Sequence, residues 1–405
     1  MRLLHTSDWH LGKRLFDKER YDVFEKFLAW LLSTIRQERV DTLIVAGDIF
    51  DTAVPTNKSL RLYYDFLSQL TSSECRHVVI VSGNHDSPTL LEAPKGILEN
   101  FGVHVIGGAE SPEDEVIELK DKAGNLEGVV CAVPFLRERD ILRLKDDSTL
   151  SRAEEIQLAV ENHYKSVVKA AIDRMGAKRV PLIATGHLFT VGSPKGEDVN
   201  ELYIGATGAV PVNIFPPGSE NLALGHIHRA YSIGGDKTRN YCGAPIPLTF
   251  EEANLEKLVR LVDFEPDEIK VADIQVPKFD RLVSVQGSQT EISTKLKELA
   301  GQDEKILVEV IHTGKANAIN LTGEVSEQTS GTKIEVLRVF DETKKANCLA
   351  NDGDEMEIGE LTWENVFEKK LKNETFEGEV SEEELWNAYR NAYFQISELA
   401  DVNAQ

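Results

Sequence analysis

Seven residues with side chains suited to divalent cations, Asp8, His10, Asp48, Asn84, His187, His226 and His228, stand at the ends of short apolar runs spread over more than two hundred positions. The set mixes carboxylate and amide oxygen with imidazole nitrogen and contains no thiolate. Such donors favour manganese, iron or zinc over magnesium alone or an iron–sulfur cluster. One ion does not need seven ligands. Two ions sharing a carboxylate do account for the number, and a pair about 3.5–4 Å apart can activate water and polarise a phosphoryl oxygen together. Hydrolysis of a phosphoryl ester is the chemistry this set predicts. Each residue alone has a plainer reading, since Asp and Asn are common turn formers after strands and a single histidine is an ordinary surface group. The weight comes from all seven falling at strand ends.

The elements that must position them follow from periodicity. Residues 2–7, 42–46 and 78–81 read as apolar strands, and residues 17–36, 57–70 and about 89–100 have helical spacing. Strands apolar on both faces and separated by helices imply an α/β fold with a parallel sheet covered on both sides and right-handed crossovers. In such a sheet the strand ends share one edge, where ligands bind, and neighbouring strands lie about 4.8 Å apart. Asp8 with His10, Asp48 with Asp51, and Asn84 with His85 each follow one of the first three strands, so they are expected to meet. The Asp8-x-His10 and His226-x-His228 spacings put each pair on one side of extended chain. Later strands are expected at 128–133, 181–185, 221–225, 257–264 and 269–276, with a long helix at 152–175.

After residue 276 the pattern changes. Strands at 282–285, 306–311 and 333–339 with a helix at 291–299 predict a small α/β domain over 281–345, following a large domain over 1–276. Residues 355–405 are expected to form helices, the last opened by a Ser381/Glu384 capping box. Its stripe of Leu385, Tyr389, Tyr393, Ile396 and Leu399 reads as core or as a partner-docking face. The formal charge of −23 over 405 residues argues against general adhesion to nucleic acid. Residues 351–405 hold 15 acidic residues against four basic ones, so much of the repulsion sits in the tail. Lys13, Arg14, Lys18 and Arg20 read as phosphate contacts at the mouth of the site or as a solvated loop. Cys75, Cys131, Cys242 and Cys348 form no CxxC pair and read as reduced thiols. His5, His77, His104, His163 and His312 read as packing or surface residues. With no bilayer-length apolar run and no leader pattern, a cytoplasmic location is expected.

Five runs, taken in order, resemble the motifs of the calcineurin-like metallophosphoesterases: Ser7-Asp8-Trp9-His10, Gly47-Asp48-Ile49-Phe50-Asp51, Gly83-Asn84-His85-Asp86, Gly186-His187 and Gly225-His226-Ile227-His228. That resemblance implies layered β-sheets flanked by helices. It also implies one ion on Asp8, His10, Asp48 and His228 and another on Asp48, Asn84, His187 and His226, with Asp48 bridging. His85 then protonates or stabilises the leaving oxygen, a role suited to imidazole. Asp51 is read as the carboxylate that orients His85.

Within the superfamily, the opening from Met1 to Gly12 and the second and third motifs are similar to the bacterial SbcD family of double-strand-break repair nuclease subunits. The likeness spans about residues 1–275 and continues more loosely into a DNA-capping domain and a helical tail. It implies manganese-dependent endonuclease and 3′-to-5′ exonuclease activity on DNA ends and hairpins. It further implies a complex with the coiled-coil ATPase SbcC, two copies of each. A phosphoprotein phosphatase usually carries Arg-Gly after the second motif and Glu at the end of the third, where this chain has Thr52, Ala53 and Asp86. A small-molecule phosphodiesterase suits the long extension less well. A non-catalytic DNA-tethering scaffold does not account for a full motif set.

Overall fold

Alternate residues of the first strands serve two different cores, and this splits the chain into layers. In the computed structural model, which describes residues 1–109, 111–141, 150–190, 215, 219–314 and 320–342, β1 (Arg2–Thr6), β2 (Thr42–Ala46), β3 (His77–Val81) and β4 (Val103–Ile106) run parallel. β11 (Leu258–Phe264) and β12 (Ile269–Gln275) add antiparallel strands beside β1, giving the order β12-β11-β1-β2-β3-β4. Leu4, Leu43, Val45, Val78 and Ile80 face α1 (Tyr21–Gln37) and α2 (Asn57–Leu70), packing with Phe24, Phe27, Leu31, Tyr63 and Phe66. Their neighbours Leu3, Ile44, Ala46, Val79 and Val81 point the other way, as strand geometry requires.

What covers that second face is another sheet, with order β5-β6-β7-β8-β10-β9. Its strands are β5 (Val116–Lys120), β6 (Leu126–Ala132), β7 (Leu182–His187), β8 (Asn221–Gly225), β9 (Tyr231–Ser232) and β10 (Arg239–Tyr241). Val130, Ala132, Ile183 and Ala223 meet the first sheet, while Val129, Cys131 and Ala184 pack outward against Tyr164 and Val167 of α3 (Arg152–Met175). The layers therefore run helix, sheet, sheet, helix. Periodicity tells that a strand is covered on both faces but not by what.

The third sheet is all parallel: β13 (Arg281–Gly287), β14 (Ile306–His312) and β15 (Ile334–Asp341). With α4 (Gln289–Ala300) and α5 (Leu321–Thr329) it encloses its own cluster of Val285, Ile292, Leu296, Val308, Val310 and Val325.

Three local differences have physical causes. The helix expected over 89–100 is cut at Pro94 into Pro88–Glu92, Lys95–Leu98 and a 3-10 turn Glu99–Phe101, because proline removes a backbone donor and clashes with the preceding turn. The first helix starts at Tyr21 rather than residue 17, since Leu15 and Lys18 exchange backbone hydrogen bonds in a tight turn. β4, β5, β9, β10 and α5 are not anticipated by the sequence pattern. The expected C-terminal helices and their stripe lie outside the described residues. No helix among the described residues is long and apolar enough to cross a membrane.

Candidate metal centre

The ends of β1, β2 and β3 in one sheet and of β7 and β8 in the other meet at one rim, and every expected ligand hangs there. Asp8 N donates to Gly47 O at 2.9 Å and His10 N to Asp48 O at 3.0 Å, so the chain after β1 follows the chain after β2. Four of the seven residues sit in left-handed backbone: Asp8 (φ 53°), His10 (47°), Asp48 (51°) and His226 (98°). For a residue with a Cβ this costs roughly 1–2 kcal/mol each, strain of the kind that gathers where side chains must be aimed. The sheets approach closely only because of glycine. A Cβ at Gly225 would fall on the Ala46 carbonyl oxygen, and one at Gly47 on the His187 imidazole.

The side chains converge in two groups, buried but for the half-buried His228 and Asn84. Asp8, His10 and His228 offer donor atoms within 4.8 Å of one another, and so do Asp48, His187 and His226. Asn84 joins the second, its Oδ1 lying 3.1 Å from His187 Nε2 and 3.0 Å from His226 Nδ1. One oxygen, Asp48 Oδ2, stands between the groups, 3.4 Å from His10 Nε2 and 3.2 Å from His187 Nε2. His10 Nε2 and His228 Nε2 face each other at 3.2 Å. So many buried oxygen and imidazole acceptors aimed at one volume, with no thiolate among them, fit divalent cations.

Orientation is fixed from behind. His187 Nδ1 donates to Ala46 O at 2.9 Å, which turns Nε2 toward Asp48. Asp8 accepts from His226 N at 2.9 Å and from the Ser7 hydroxyl. Burial opposes the charge of His187, yet Asp48 outweighs it and lifts the imidazole to about 9. Asp48 is likewise held well below the usual carboxylate range, burial being overridden by the His187 charge. His226 is pushed down to about 3, by burial and then by His187, and stays neutral. Because a metal takes only neutral imidazole, uptake of ions by ion-free protein near neutral pH is expected to release the His187 proton, and the release to fade above about pH 9. Calorimetric titration in buffers of different ionisation enthalpy checks this; heats independent of the buffer would contradict it.

Two further carboxylates, Asp86 and Glu252, support the site from behind. Asp86, buried, accepts from Phe50 N at 3.0 Å, Ile49 N at 3.1 Å and Gly83 N at 2.9 Å, clamping the second motif to the third. Burial and the nearby Asp48 push it up to about 6. Glu252 lies 3.2 Å from His228 Nδ1 and pairs with Lys257. Burial opposes its charge, but His228 and Lys257 bring it down to about 2. Nothing in its sequence surroundings announces it, since it sits 24 residues after His228 in a 3-10 turn, Glu251–Asn254.

His85 and Asp51 are adjacent, and both the Asp51 peptide and its carboxylate have neighbours in the site. His85 Nδ1 donates to the backbone carbonyl of Asp51 at 2.8 Å, while the Asp51 carboxylate lies 3.3 Å from His10 Nδ1 and 3.2 Å from Lys13 Nζ. The tight turn after β2 brings the Asp51 carbonyl onto Nδ1 and leaves a carboxylate oxygen within 4.8 Å of the His85 ring. The basic loop is also engaged internally. Lys13 pairs with Asp51, Lys18 with Glu335, and buried Arg20 with Asp280 and Pro247 O; Arg14 is exposed and donates to Asp17 O. His5 and His312 are buried against Asn240 and Asp341, and Cys75, Cys131 and Cys242 are buried free thiols.

Comparison with known proteins finds relatives over most of the chain. A profile of the calcineurin-like phosphoesterases matches residues 1–188, and one described as the type 5 capsule protein repressor C-terminal domain matches 278–375. The chain is similar to the SbcD subunit of the SbcCD nuclease of Escherichia coli K12, 33% identical over 92% of both chains. It is also similar to the SbcD subunits of Rhodobacter capsulatus, 37% identical over 65% of this chain and 66% of the relative, and of Bacillus subtilis, 28% identical over 95% and 96%.

Proposed function

The chain belongs to the SbcD family of calcineurin-like phosphoesterases, and from that premise we propose that it is the nuclease subunit of a DNA-processing complex, hydrolysing phosphodiesters with two divalent ions. The observation that carries the proposal is Asp48, whose one oxygen faces an imidazole from each group. In this reading Asp8, His10, Asp48 and His228 hold one ion and Asp48, Asn84, His187 and His226 the other, manganese by preference. When bound, such a pair supplies a water activated at neutral pH and a Lewis acid for the phosphoryl oxygen.

The protein's own part is positioning and proton handling. Asp48 Oδ1 accepts from His85 N at 2.9 Å, which keeps the carboxylate plane fixed and its other oxygen free for the cluster. His85 Nδ1 donates to the Asp51 carbonyl, and in this reading a proton on Nε2 passes to the leaving oxygen. Asp51 polarises His10 through Nδ1, which strengthens its Nε2 as a donor.

The finer assignments stand within the same proposal: endonuclease and 3′-to-5′ exonuclease action on ends and hairpins, and a DNA-capping role for residues 281–345. They also include docking of residues 355–405 on the coiled-coil ATPase SbcC, a homodimer within a heterotetramer, and a cytoplasmic protein that joins the nucleoid when bound to DNA. The test is cleavage of linear and hairpin DNA by the chain with manganese and its ATPase partner, alongside p-nitrophenyl phosphate and cyclic nucleotides. DNA is expected to be cut far faster than the small esters. Turnover of the small esters with intact DNA would move the chain to the phosphatases or small-molecule diesterases.

A further inference from the structure

Among the expected ligands, His228 is held by a segment that is itself held by the third sheet. Its Nδ1 lies 3.2 Å from Glu252 Oε1, and Lys257, paired with Glu252, also reaches the His228 carbonyl at 3.2 Å. Glu252 belongs to the turn Glu251–Asn254, whose Ala253, with Phe250 just before it, is buried in one cluster with Leu282 of β13, Leu307 of β14 and Leu15. Leu337 of β15 packs on the same cluster. From the third sheet to His228 there are thus two side-chain steps.

A second set of contacts ties that sheet to the chain leaving His10. Phe16, in left-handed backbone (φ 51°), stacks on Phe250 with centroids 5.9 Å apart and lies under the Arg338 guanidinium at 5.2 Å. Lys18 donates to both Glu335 oxygens at 2.7 and 2.9 Å, and buried Arg20 grips Asp280, the residue that leads into β13, through both oxygens. The other group is held differently. The partners given above for Asp48, Asn84, His187 and His226 all come from the two large sheets and the loops at their ends, and among the described residues none comes from 281–342.

We propose that the third sheet, acting through the turn Phe250–Asn254, positions His228 and so governs the Asp8–His10–His228 half of the cluster, while the Asp48–His187–His226 half is set by the two large sheets alone. The proposal rests on the two-ion reading above. Leu282, Leu307, Ala253 and Glu252 are positioning residues, none of them touching the reacting atoms. Displacing the third sheet loosens one ion and spares its neighbour, a graded control of the cluster from outside it.

The test is a manganese titration of the full chain, followed by calorimetry and by electron paramagnetic resonance, which separates a coupled ion pair from a lone ion. The parent chain is expected to take two ions and show the pair signal; a chain taking fewer would remove the two-ion reading itself. Glu252→Gln removes the negative charge behind His228 and the ion pair with Lys257, and Leu282→Ala with Leu307→Ala frees the sheet from the turn. Each is expected to leave the first ion's affinity unchanged and weaken the second by about 10- to 100-fold, the usual consequence of losing a group that orients a metal-bound histidine, with a lone-ion signal at one equivalent. The cluster lies in a different core, so a third sheet that unfolds in the double variant gives the same expected result. Equal weakening of both ions, unchanged affinity for both, or loss in Glu252→Gln without loss in the double variant would each overturn the proposal.

Discussion

Asp48→Asn is expected to lower DNA cleavage by on the order of 10³-fold or more and to weaken both ions, not one, the scale on which loss of a pre-organised charge-stabilising group slows turnover. Asparagine keeps the shape and can still accept from His85 N, so the loops after β2 and β3 stay joined. What it removes is the negative oxygen that stands 3.2 Å from His187 Nε2 and 3.4 Å from His10 Nε2. With that charge gone, the support that raises His187 to about 9 goes too, and burial favours the neutral ring. Ion-free Asp48→Asn protein should accordingly lose the proton release that the parent shows near neutral pH. The stability linkage has a definite sign. A histidine raised in the folded state contributes stability that is full below its unfolded value, near 6.5, and lost as pH rises through about 9. A carboxylate held low contributes above its unfolded value and loses that contribution as pH falls through the folded one. The variant should therefore show a flatter melting temperature across neutral to alkaline pH than the ion-free parent. Elemental analysis showing two ions at parental affinity in Asp48→Asn would remove Asp48 from the shared position.

The meeting of seven distant side chains was readable because each follows an apolar strand, and parallel strands deliver their ends to one edge. Leu43 to Ala46 shows how far that reading goes. The run proves burial on both faces, but only the structure shows that Ile44 and Ala46 meet a second sheet while Leu43 and Val45 meet helices. Glu252 was not readable. It acts from a 3-10 turn with no periodicity, and its partner His228 is fixed by a fold in three dimensions rather than by spacing. Asp51 shows a subtler limit, since sequence names a residue near His85 without saying whether its carboxylate or its carbonyl makes the contact. The helix Leu321–Thr329 hid behind glycine, serine and threonine, which are weak helix formers, and is stabilised by burying Leu321 and Val325 in the small core. Lys18 and Arg20, read as candidate phosphate contacts, are consumed by Glu335 and Asp280 because the third sheet docks on their loop.

His85→Gln is expected to keep both ions and lose turnover on DNA by about 10²- to 10⁴-fold, the usual worth of a positioned proton donor. The separation is possible because His85 serves the site twice, through different atoms. Its peptide N–H donates to Asp48 Oδ1, and any residue but proline at this position can do the same. Its ring, held by the Asp51 carbonyl and edge-on to His10 with centroids 4.9 Å apart, contributes no donor to the proposed ligand sets and in this reading delivers its proton to the departing group. Proton delivery matters most when the leaving oxygen is a poor leaving group, as the sugar hydroxyl of DNA is. A diester with a good leaving group, bis(p-nitrophenyl) phosphate, needs little protonation, so the deficit of His85→Gln should shrink on it by at least about tenfold. An equal deficit on both substrates would mean that the ring stabilises charge or places the phosphate instead of moving a proton. Loss of an ion on elemental analysis would mean that His85 belongs among the ligands, with His10 and Asp51 as its neighbours.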